Sequence, residues 1–223
     1  MGTLYIVATP IGNLEDVTFR SLRVLKECDI VFAEDTRVTK KLLSHYHIQK
    51  PVFRYDEHVA ERMHAEVIRM LKGGKEIAVV SDAGTPGIAD PGSRLVSYIR
   101  EHMPATAIHP IPGPSALVAA LSASGIAADR FTFLGYPPHK KGRQTFFKEL
   151  AEIKTRPIVL YESPHRLQKT VANISVACGA DIRVFILREI SKIHEESFSG
   201  AIRAAESHFI GEKLRGEFVL IIV

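Results

Sequence analysis

Two adjacent carboxylates, Glu34 and Asp35, follow a short apolar run in the sequence, and Arg37 stands close behind them. Paired carboxylates at the end of a strand can bind a ligand or accept a proton, so this pair is a candidate functional site. A structural role is also open for Asp35, because aspartate is a preferred N-cap residue of helices. The sequence leaves both possibilities standing.

A second chemical candidate is the stretch SDAGTPGIADPG, which follows the apolar run Ile77–Val80. A plain connection between a strand and a helix needs roughly two to six residues, and this one is longer and rich in glycine and proline. Three other predicted strands end in similar loops: ATPIGNLEDVT, AEDTR and PIPGPSAL. Each loop taken singly could be a tight turn or a helix cap. Because ligands of α/β proteins bind at the carboxyl ends of strands, four such loops together predict a shared ligand site.

Several common kinds of site are excluded by motif. The sequence has no G-x-x-x-x-G-K-[ST], no G-x-G-x-x-G after the first strand, no G-x-S-x-G and no H-E-x-x-H. Their absence argues against common nucleoside triphosphatases, dehydrogenases, serine hydrolases and zinc enzymes. Only two cysteines occur, far apart, which is typical of a reducing compartment. Loops that offer backbone groups suit a neutral or zwitterionic ligand, and we expect no metal.

Composition indicates an ordinary globular protein. The chain has 223 residues, of which 46% are hydrophobic and 24% charged, and its formal net charge is +4. A mildly basic balance permits a nucleic-acid partner without requiring one. The sequence shows neither the pattern of a signal peptide nor an apolar run long enough to span a bilayer, so we expect a cytoplasmic protein without membrane association.

The elements that must position these residues alternate between strand and helix. β-Branched runs predict strands at Leu4–Ala8, Ile30–Ala33, Ile77–Ser81, Ala107–Ile111, Ile158–Tyr161, Val184–Leu187 and Phe218–Val223. Helical patterns cover Ser21–Cys28, Lys40–Tyr46, Ala60–Lys72, Ser115–Ser124 and Arg166–Ala177. This alternation predicts an α/β protein with largely parallel sheets. The stretch PIPGPS suggests a boundary between two domains, residues 1–113 and 114–223, and the second contains more antiparallel-looking sequence.

The ordered motifs TPIGNLED, AEDTR, SDAGTPGIADPG, IPGPSALVAALSASG and YESPHR resemble those of the tetrapyrrole methylase family. More closely they resemble its ribosomal RNA small-subunit methyltransferase I branch, and the resemblance extends from Leu4 to the final GEFVLIIV. It implies two α/β domains with S-adenosylmethionine in the cleft between them, and a homodimer. The implied reaction is 2′-O-methylation of a cytidine ribose, cytidine 1402 of the decoding centre, in 16S rRNA. The implied substrate is 16S rRNA within the small ribosomal subunit.

The resemblance also implies which residues bind the methyl donor: Pro10, Asp82, Gly84, Ile88, Ala89, Ser115, Ala116, Tyr161, Glu162, Gly216, Glu217 and Phe218. Each has a structural alternative. Asp82 could form an Asx-turn, and Asp90 could bind the donor or hold the loop together. Tyr161 could be a core residue, and Glu162 could belong to the start of a helix.

The implied reaction needs an acceptor for the proton of a 2′-hydroxyl. Candidates are Asp35, Glu34 and Glu189, which the sequence does not rank. Phosphate contacts are expected from basic residues, namely Arg37, Lys140, Lys141 and Arg143, the last three within the stretch GYPPHKKGRQ. Tyr136 beside them could stack on a base, although such a loop could equally be a solvated surface.

Three other functions remain open at this point. A methyltransferase acting on a tetrapyrrole precursor would share the fold and donor, but those enzymes usually carry an S-G-D-P form where this chain has SDAGTPG. A non-catalytic RNA-binding module would keep the fold without the donor, and a phosphate-ester enzyme has less support. Members of the rRNA branch usually continue past the last strand, so we expect either a removed extension or a short member.

Overall fold

The structure is a computed structural model that describes residues 1–57, 59–90 and 92–223. Pro91 of the predicted loop lies outside the described residues. The chain divides into two compact units, Met1–Ser115 (unit 1) and Ala116–Val223 (unit 2).

Unit 1 contains a five-stranded, entirely parallel sheet. Its strands are β1 (Leu4–Val7), β2 (Ile30–Ala33), β3 (Val52–Arg54), β4 (Ile77–Val80) and β5 (Ile108–Ile111), in the order β3-β2-β4-β1-β5. Its helices are α1 (Phe19–Glu27), α2 (Thr36–His45), α3 (Ala60–Lys72) and α4 (Gly92–His102). All four residues of β2 and of β4 are buried, because a parallel sheet is covered by helices on both faces.

Unit 2 contains a mixed five-stranded sheet. Its strands are β6 (Thr132–Phe133), β7 (Ile158–Glu162), β8 (Arg183–Arg188), β9 (Glu196–Ala201) and β10 (Phe218–Ile222), in the order β6-β7-β10-β8-β9. Its helices are α5 (Ala116–Ser124), α6 (Arg143–Glu152), α7 (Leu167–Cys178) and α8 (Ile202–His208). β10 pairs antiparallel with both β7 and β8, and β8 pairs antiparallel with β9. The expected α/β class and the antiparallel character of the second half are therefore both present.

The structure contains several elements that the sequence patterns do not predict. β3 and β6, of three and two residues, and the helices α4, α6 and α8 were not predicted. Glu162 belongs to strand β7 itself and not to the start of a helix, since α7 begins at Leu167. Among the described residues, no helix combines the length and apolar character needed to cross a bilayer.

Candidate functional site

The loop after β4 is fixed to the loops that follow β1 and β5. Thr9 and Gly84 exchange two backbone hydrogen bonds of 2.9 and 3.0 Å, and the Thr9 hydroxyl donates to the carbonyl of Ser81 at 3.4 Å. The Thr85 hydroxyl donates to the carbonyl of Pro114 at 3.1 Å. The Asp82 carboxylate accepts a 2.8 Å hydrogen bond from the N–H of Asp35 in the loop after β2. All four loops predicted to share a site are thus joined at one edge of the unit 1 sheet.

Glycine is needed in this loop for backbone conformation. Gly84 and Gly87 have φ angles of 76° and 88°, in the left-handed region that strains other residues. Ala89 adopts a φ of 64° without being glycine. The Asp90 carboxylate accepts hydrogen bonds from the backbone N–H groups of Gly87 and Gly92, at 2.7 and 2.8 Å. Of the two roles left open for Asp90, the structure therefore shows the one that closes the loop.

A cavity of about 680 Å³ opens beside this loop, at the ends of strands β2, β3 and β4. Six of its ten lining side chains are carboxylates, and the full lining is Glu34, Asp35, Thr36, Arg37, Arg54, Asp56, Glu57, Asp82, Ala89 and Asp90. Five of the predicted site residues, Glu34, Asp35, Arg37, Asp82 and Ala89, thus meet at one cavity. Within the described ranges, no three His, Cys, Asp or Glu side chains converge so as to hold a metal ion.

Glu34 and Asp35 are neighbours in sequence but differ in environment. Asp35 is the N-cap of α2, where its carboxylate accepts a 2.8 Å bond from the N–H of Arg37. The guanidinium of Arg37 also donates to both Asp35 oxygens, and these bonds, followed by the backbone bond, lower the pKa of Asp35 to about 2. A carboxylate held in this way is a poor proton acceptor near neutral pH.

Glu34 has the opposite electrostatics. Partial burial raises its pKa, and the nearby carboxylates of Asp82 and Asp90 raise it further. Asp82 accepts a 2.8 Å hydrogen bond from the N–H of Asp35, and burial raises its pKa as well. A carboxylate whose pKa moves upward toward neutrality is better matched to general-base work than one whose pKa is lowered.

In unit 2, Tyr161 is positioned near the start of α5. Its hydroxyl accepts a 3.2 Å hydrogen bond from the N–H of Leu117, the residue after Ala116. Its ring packs against those of Phe133 and Tyr136, with centroids 4.9 and 5.5 Å apart. Two predicted donor-binding residues of this unit, Ala116 and Tyr161, are therefore close together.

Other predicted residues of unit 2 are occupied by partners within the unit. Glu162 is buried, and its carboxylate accepts bonds from Arg166 and Thr170 at 2.6 and 2.5 Å. Arg143 is also buried and donates to Asn173, Thr170 and the carbonyl of Pro138. This burial conflicts with the predicted phosphate contact of Arg143, whose donors point into the unit.

Glu189 lies where β8 ends, and it contacts the segment before β10. Its carboxylate accepts a 3.0 Å bond from the N–H of Glu217 and a 2.7 Å bond from Lys192. Burial opposes ionisation of Glu189, but the Lys192 and Glu217 hydrogen bonds outweigh it and lower the pKa. Any Cβ added at Gly216 would collide with the Glu189 side chain. Glu189 and the predicted donor-binding residues Gly216 and Glu217 are thus one local assembly.

The remaining predicted residues have simple placements. Pro10 and Ser115 are half-buried, Ile88 is 48% exposed, Phe218 is buried at the start of β10, and Lys140 and Lys141 are exposed. The sequence reasoning missed Arg54, Asp56 and Glu57 of the cavity. Arg54 is the last residue of β3, and Asp56 and Glu57 follow it. The only sequence signal of this strand is the apolar pair Val52 and Phe53 after a proline.

Comparison with known proteins shows which family this chain belongs to. A family model described as Tetrapyrrole (Corrin/Porphyrin) Methylases matches residues 3–206. This chain belongs to the tetrapyrrole methylase family. Its relatives include the ribosomal RNA small subunit methyltransferase I of Thermotoga maritima, 44% identical over 223 residues that cover 100% of this chain and 98% of the relative. The protein of the same name from Halalkalibacterium halodurans is 47% identical, with 99% of this chain and 75% of the relative covered.

Solved structures of the same family share the fold. The uroporphyrin-III C-methyltransferase of Thermus thermophilus, solved with S-adenosylhomocysteine, has a TM-score of 0.68 at 16% identity, with 99% of this chain and 97% of that chain covered. A cobalt precorrin-4 methyltransferase has a TM-score of 0.71 at 19% identity, with 99% and 94% covered. The fold class expected from the resemblance is confirmed.

Proposed function

We propose that this protein uses S-adenosylmethionine to methylate the 2′-hydroxyl of a cytidine ribose in 16S rRNA. The observation that carries the proposal is the 44–47% identity to proteins named ribosomal RNA small subunit methyltransferase I, over 99–100% of this chain. The choice of cytidine 1402 follows from the motif resemblance. We also propose that the substrate is the small ribosomal subunit, that the active assembly is a homodimer and that the protein is cytoplasmic.

The residues present fit a methyl donor of this kind. S-Adenosylmethionine carries an ammonium and a carboxylate on its methionine part and a positively charged sulfonium, and when bound it supplies an electrophilic methyl group. In unit 1, the loop after β4 offers backbone groups at Gly84, Ile88 and Ala89, and Asp82 is a carboxylate suited to a cation. In unit 2 we assign the adenosine side to Ala116, Tyr161 and the turn at residues 216–218.

Among the three candidate proton acceptors, the environment favours Glu34. Asp35 is held by Arg37 with a pKa of about 2, and Glu189 is held by Lys192 and by the N–H of Glu217. Glu34 faces a cavity that can admit a ribose, and its pKa is raised by burial and by neighbouring carboxylates. We therefore assign to Glu34 the removal of the 2′-hydroxyl proton. The chain's further contribution is alignment of the two reactants.

Phosphate contact is assigned to Arg37, Lys140 and Lys141. The Arg37 side chain is 86% exposed although it is paired with Asp35, and both lysines are exposed. Contacts of this kind make binding fall with rising salt, because phosphates release counterions when they are neutralised.

The test is transfer of labelled methyl from S-adenosylmethionine to small subunits that lack the modification, with free 16S rRNA in parallel. The expected product, after digestion, is a labelled 2′-O-methylcytidine. Donor binding without RNA labelling would overturn the substrate and leave a tetrapyrrole precursor as the next one to assay. Absence of donor binding would overturn the methyltransferase assignment and favour a non-catalytic RNA-binding module.

A further inference from the structure

The loop between β6 and α6, residues 135–142, displays the most concentrated set of basic groups in unit 2. We call it the basic loop. His139, Lys140 and Lys141 are exposed on it, and Tyr136 is 48% exposed. A half-exposed aromatic ring beside two lysines combines a surface for base stacking with cations for phosphates, the two elements that bind single-stranded nucleic acid.

Two arginines hold the basic loop by consecutive backbone carbonyls. Arg166 donates to the carbonyl of Pro137 at 2.8 Å, and Arg143 donates to the carbonyl of Pro138 at 3.0 Å. The Arg166 guanidinium also lies 5.9 Å from the centroid of the Tyr136 ring. Neither arginine belongs to the loop: Arg143 is the first residue of α6, and Arg166 precedes α7.

The two arginines are joined through one buried carboxylate. Glu162 accepts from Arg166 at 2.6 Å through one oxygen and from the Thr170 hydroxyl at 2.5 Å through the other. The Thr170 oxygen in turn accepts a 2.7 Å bond from Arg143. Glu162, Thr170 and Arg143 are respectively 1%, 0% and 4% exposed, so this chain of bonds lies in the interior.

Such a network is not explained by stability alone. Burying ionised groups costs several kcal/mol each, and well-packed apolar side chains of similar volume often give equal or greater stability. Apolar side chains, however, could not donate hydrogen bonds to the carbonyls of Pro137 and Pro138. The network therefore supplies donors to the loop, and in doing so it fixes the loop before any ligand arrives.

We infer that Glu162, Arg143 and Arg166 are positioning residues that hold the basic loop in a fixed conformation for a single-stranded segment of the RNA substrate. The inference rests on the proposed function for the identity of the ligand. A loop ordered in advance does not lose that conformational entropy on binding, so the network lowers the cost of RNA association. Arg143 then acts through Lys140, Lys141 and Tyr136, and it does not itself contact a phosphate.

The experiment compares the wild-type chain with Arg143→Gln and Arg166→Gln, in three measurements: tryptic cleavage after Lys140 and Lys141 under native conditions, kinetics on unmodified small subunits, and the salt dependence of binding to single-stranded RNA. For each variant we expect faster loop cleavage and a KM for RNA about tenfold higher, with kcat and donor affinity within about twofold of the wild type. The slope of log affinity against log salt should stay unchanged.

Two comparison variants separate positioning from other roles. The double variant Lys140→Ala with Lys141→Ala removes direct contacts, so its salt slope should fall by roughly 0.7 for each lysine. Arg188→Gln removes another buried arginine of unit 2, one that donates to the carbonyls of Arg215, Glu212 and His194. It should lose stability without faster cleavage of the basic loop.

The outcomes are distinct from those of the proposed function. Wild-type loop cleavage in both arginine variants would overturn the inference, whether or not the enzyme methylates RNA. Where it does methylate RNA, a wild-type KM in both variants would overturn the inference as well. A salt slope that falls in Arg143→Gln as it does for a lysine would also overturn it, in favour of direct contact. Absence of RNA methylation by the wild type would overturn the proposed function, and the cleavage measurement would still decide whether the network holds the loop.

Discussion

Glu34 of unit 1 and Glu162 of unit 2 stand at equivalent places, each where a strand reaches its carboxyl end, but their surroundings are opposite. Glu162 is buried with Arg166 and Thr170 on its two oxygens. Glu34 is half-buried at a cavity with two further carboxylates nearby, and its pKa is raised. Position at the end of a strand in an α/β unit therefore creates the opportunity for a site, whereas the partners of a carboxylate decide whether it serves structure or chemistry.

We expect the largest effect when the charge of Glu162 is removed. Glu162→Gln would leave the partly buried Arg166 without its ionic partner. Breaking a buried pair in this way costs about 3–5 kcal/mol of unfolding free energy. We expect that loss in urea unfolding of the full chain. A cost below about 1 kcal/mol, the range of exposed pairs, would show that the network contributes little to holding unit 2 together.

The second largest effect concerns the other glutamate. Glu34→Gln keeps the shape of the side chain but cannot accept a proton, so kcat for RNA methylation should fall by about 10²–10⁴-fold with donor affinity retained. Glu27→Gln, on the exposed face of α1, is the matched control. In the wild type, activity should rise with pH as Glu34 loses its proton, and this limb should lie above the ordinary pKa of glutamate. Wild-type kcat in Glu34→Gln would move the role of base elsewhere.

A smaller effect is expected at Gly84, where a substitution tests whether the unit 1 loops bind a ligand. Gly84→Ala places a Cβ at a φ of 76°, 3.4 Å from Ile11 and 3.5 Å from the Pro114 carbonyl. Left-handed backbone costs a non-glycine residue about 1–2 kcal/mol. The variant relieves this strain by shifting the loop out of the conformation that binds the donor, so we expect donor affinity to fall about tenfold in calorimetric titration. Gly74→Ala has the same strain in open space, and it should lose stability alone. Equal donor affinity in the two variants would contradict a donor role for the loop.

The smallest effect is expected on substitution of Asp35, which lines the cavity. This substitution tests whether the role of the Asp35 carboxylate is structural. Asp35→Ala removes the N-cap of α2 and should lower the free energy of unfolding in urea by less than the other changes do. Because the folded pKa of about 2 is below the ordinary value, this contribution is present above the ordinary pKa and is lost as pH falls through about 2. The wild type and the variant should therefore converge in stability on acidification. A loss of kcat as large as that of Glu34→Gln would instead place Asp35 in the reaction.

Sequence patterns predicted the larger features of both units. They failed where contacts between residues distant in sequence determine the structure. The apolar run Ile30–Ala33 matches β2, because both sides of a central parallel strand are buried and the run ends at charged residues. β3 was missed because two of its three residues are exposed and no pattern marks them. As a result, the cavity residues that follow it were missed too.

The candidate site shows the same division. The left-handed backbone at Gly84 and Gly87 could be predicted from the sequence, because glycine is the residue that adopts this conformation without strain. The burial of Arg143 could not, because its partner Thr170 lies 27 residues away and only the packing of α6 against α7 brings them together. A stretch rich in basic residues indicates a surface segment. The sequence alone gives no signal that Arg143, one residue of this stretch, is buried.

The position of β10 in unit 2 has a consequence for biosynthesis. β10 is the last strand of the sheet in chain order, yet it lies in the middle, between β7 and β8. While the chain is being translated, β7 and β8 are made without the strand that pairs with both, and their facing edges expose unpaired N–H and C=O groups, which are templates for association with other chains. Unit 1 has all its strands by Ile111 and can fold earlier, so the nascent protein is most vulnerable to aggregation in the interval before residues 218–222 emerge.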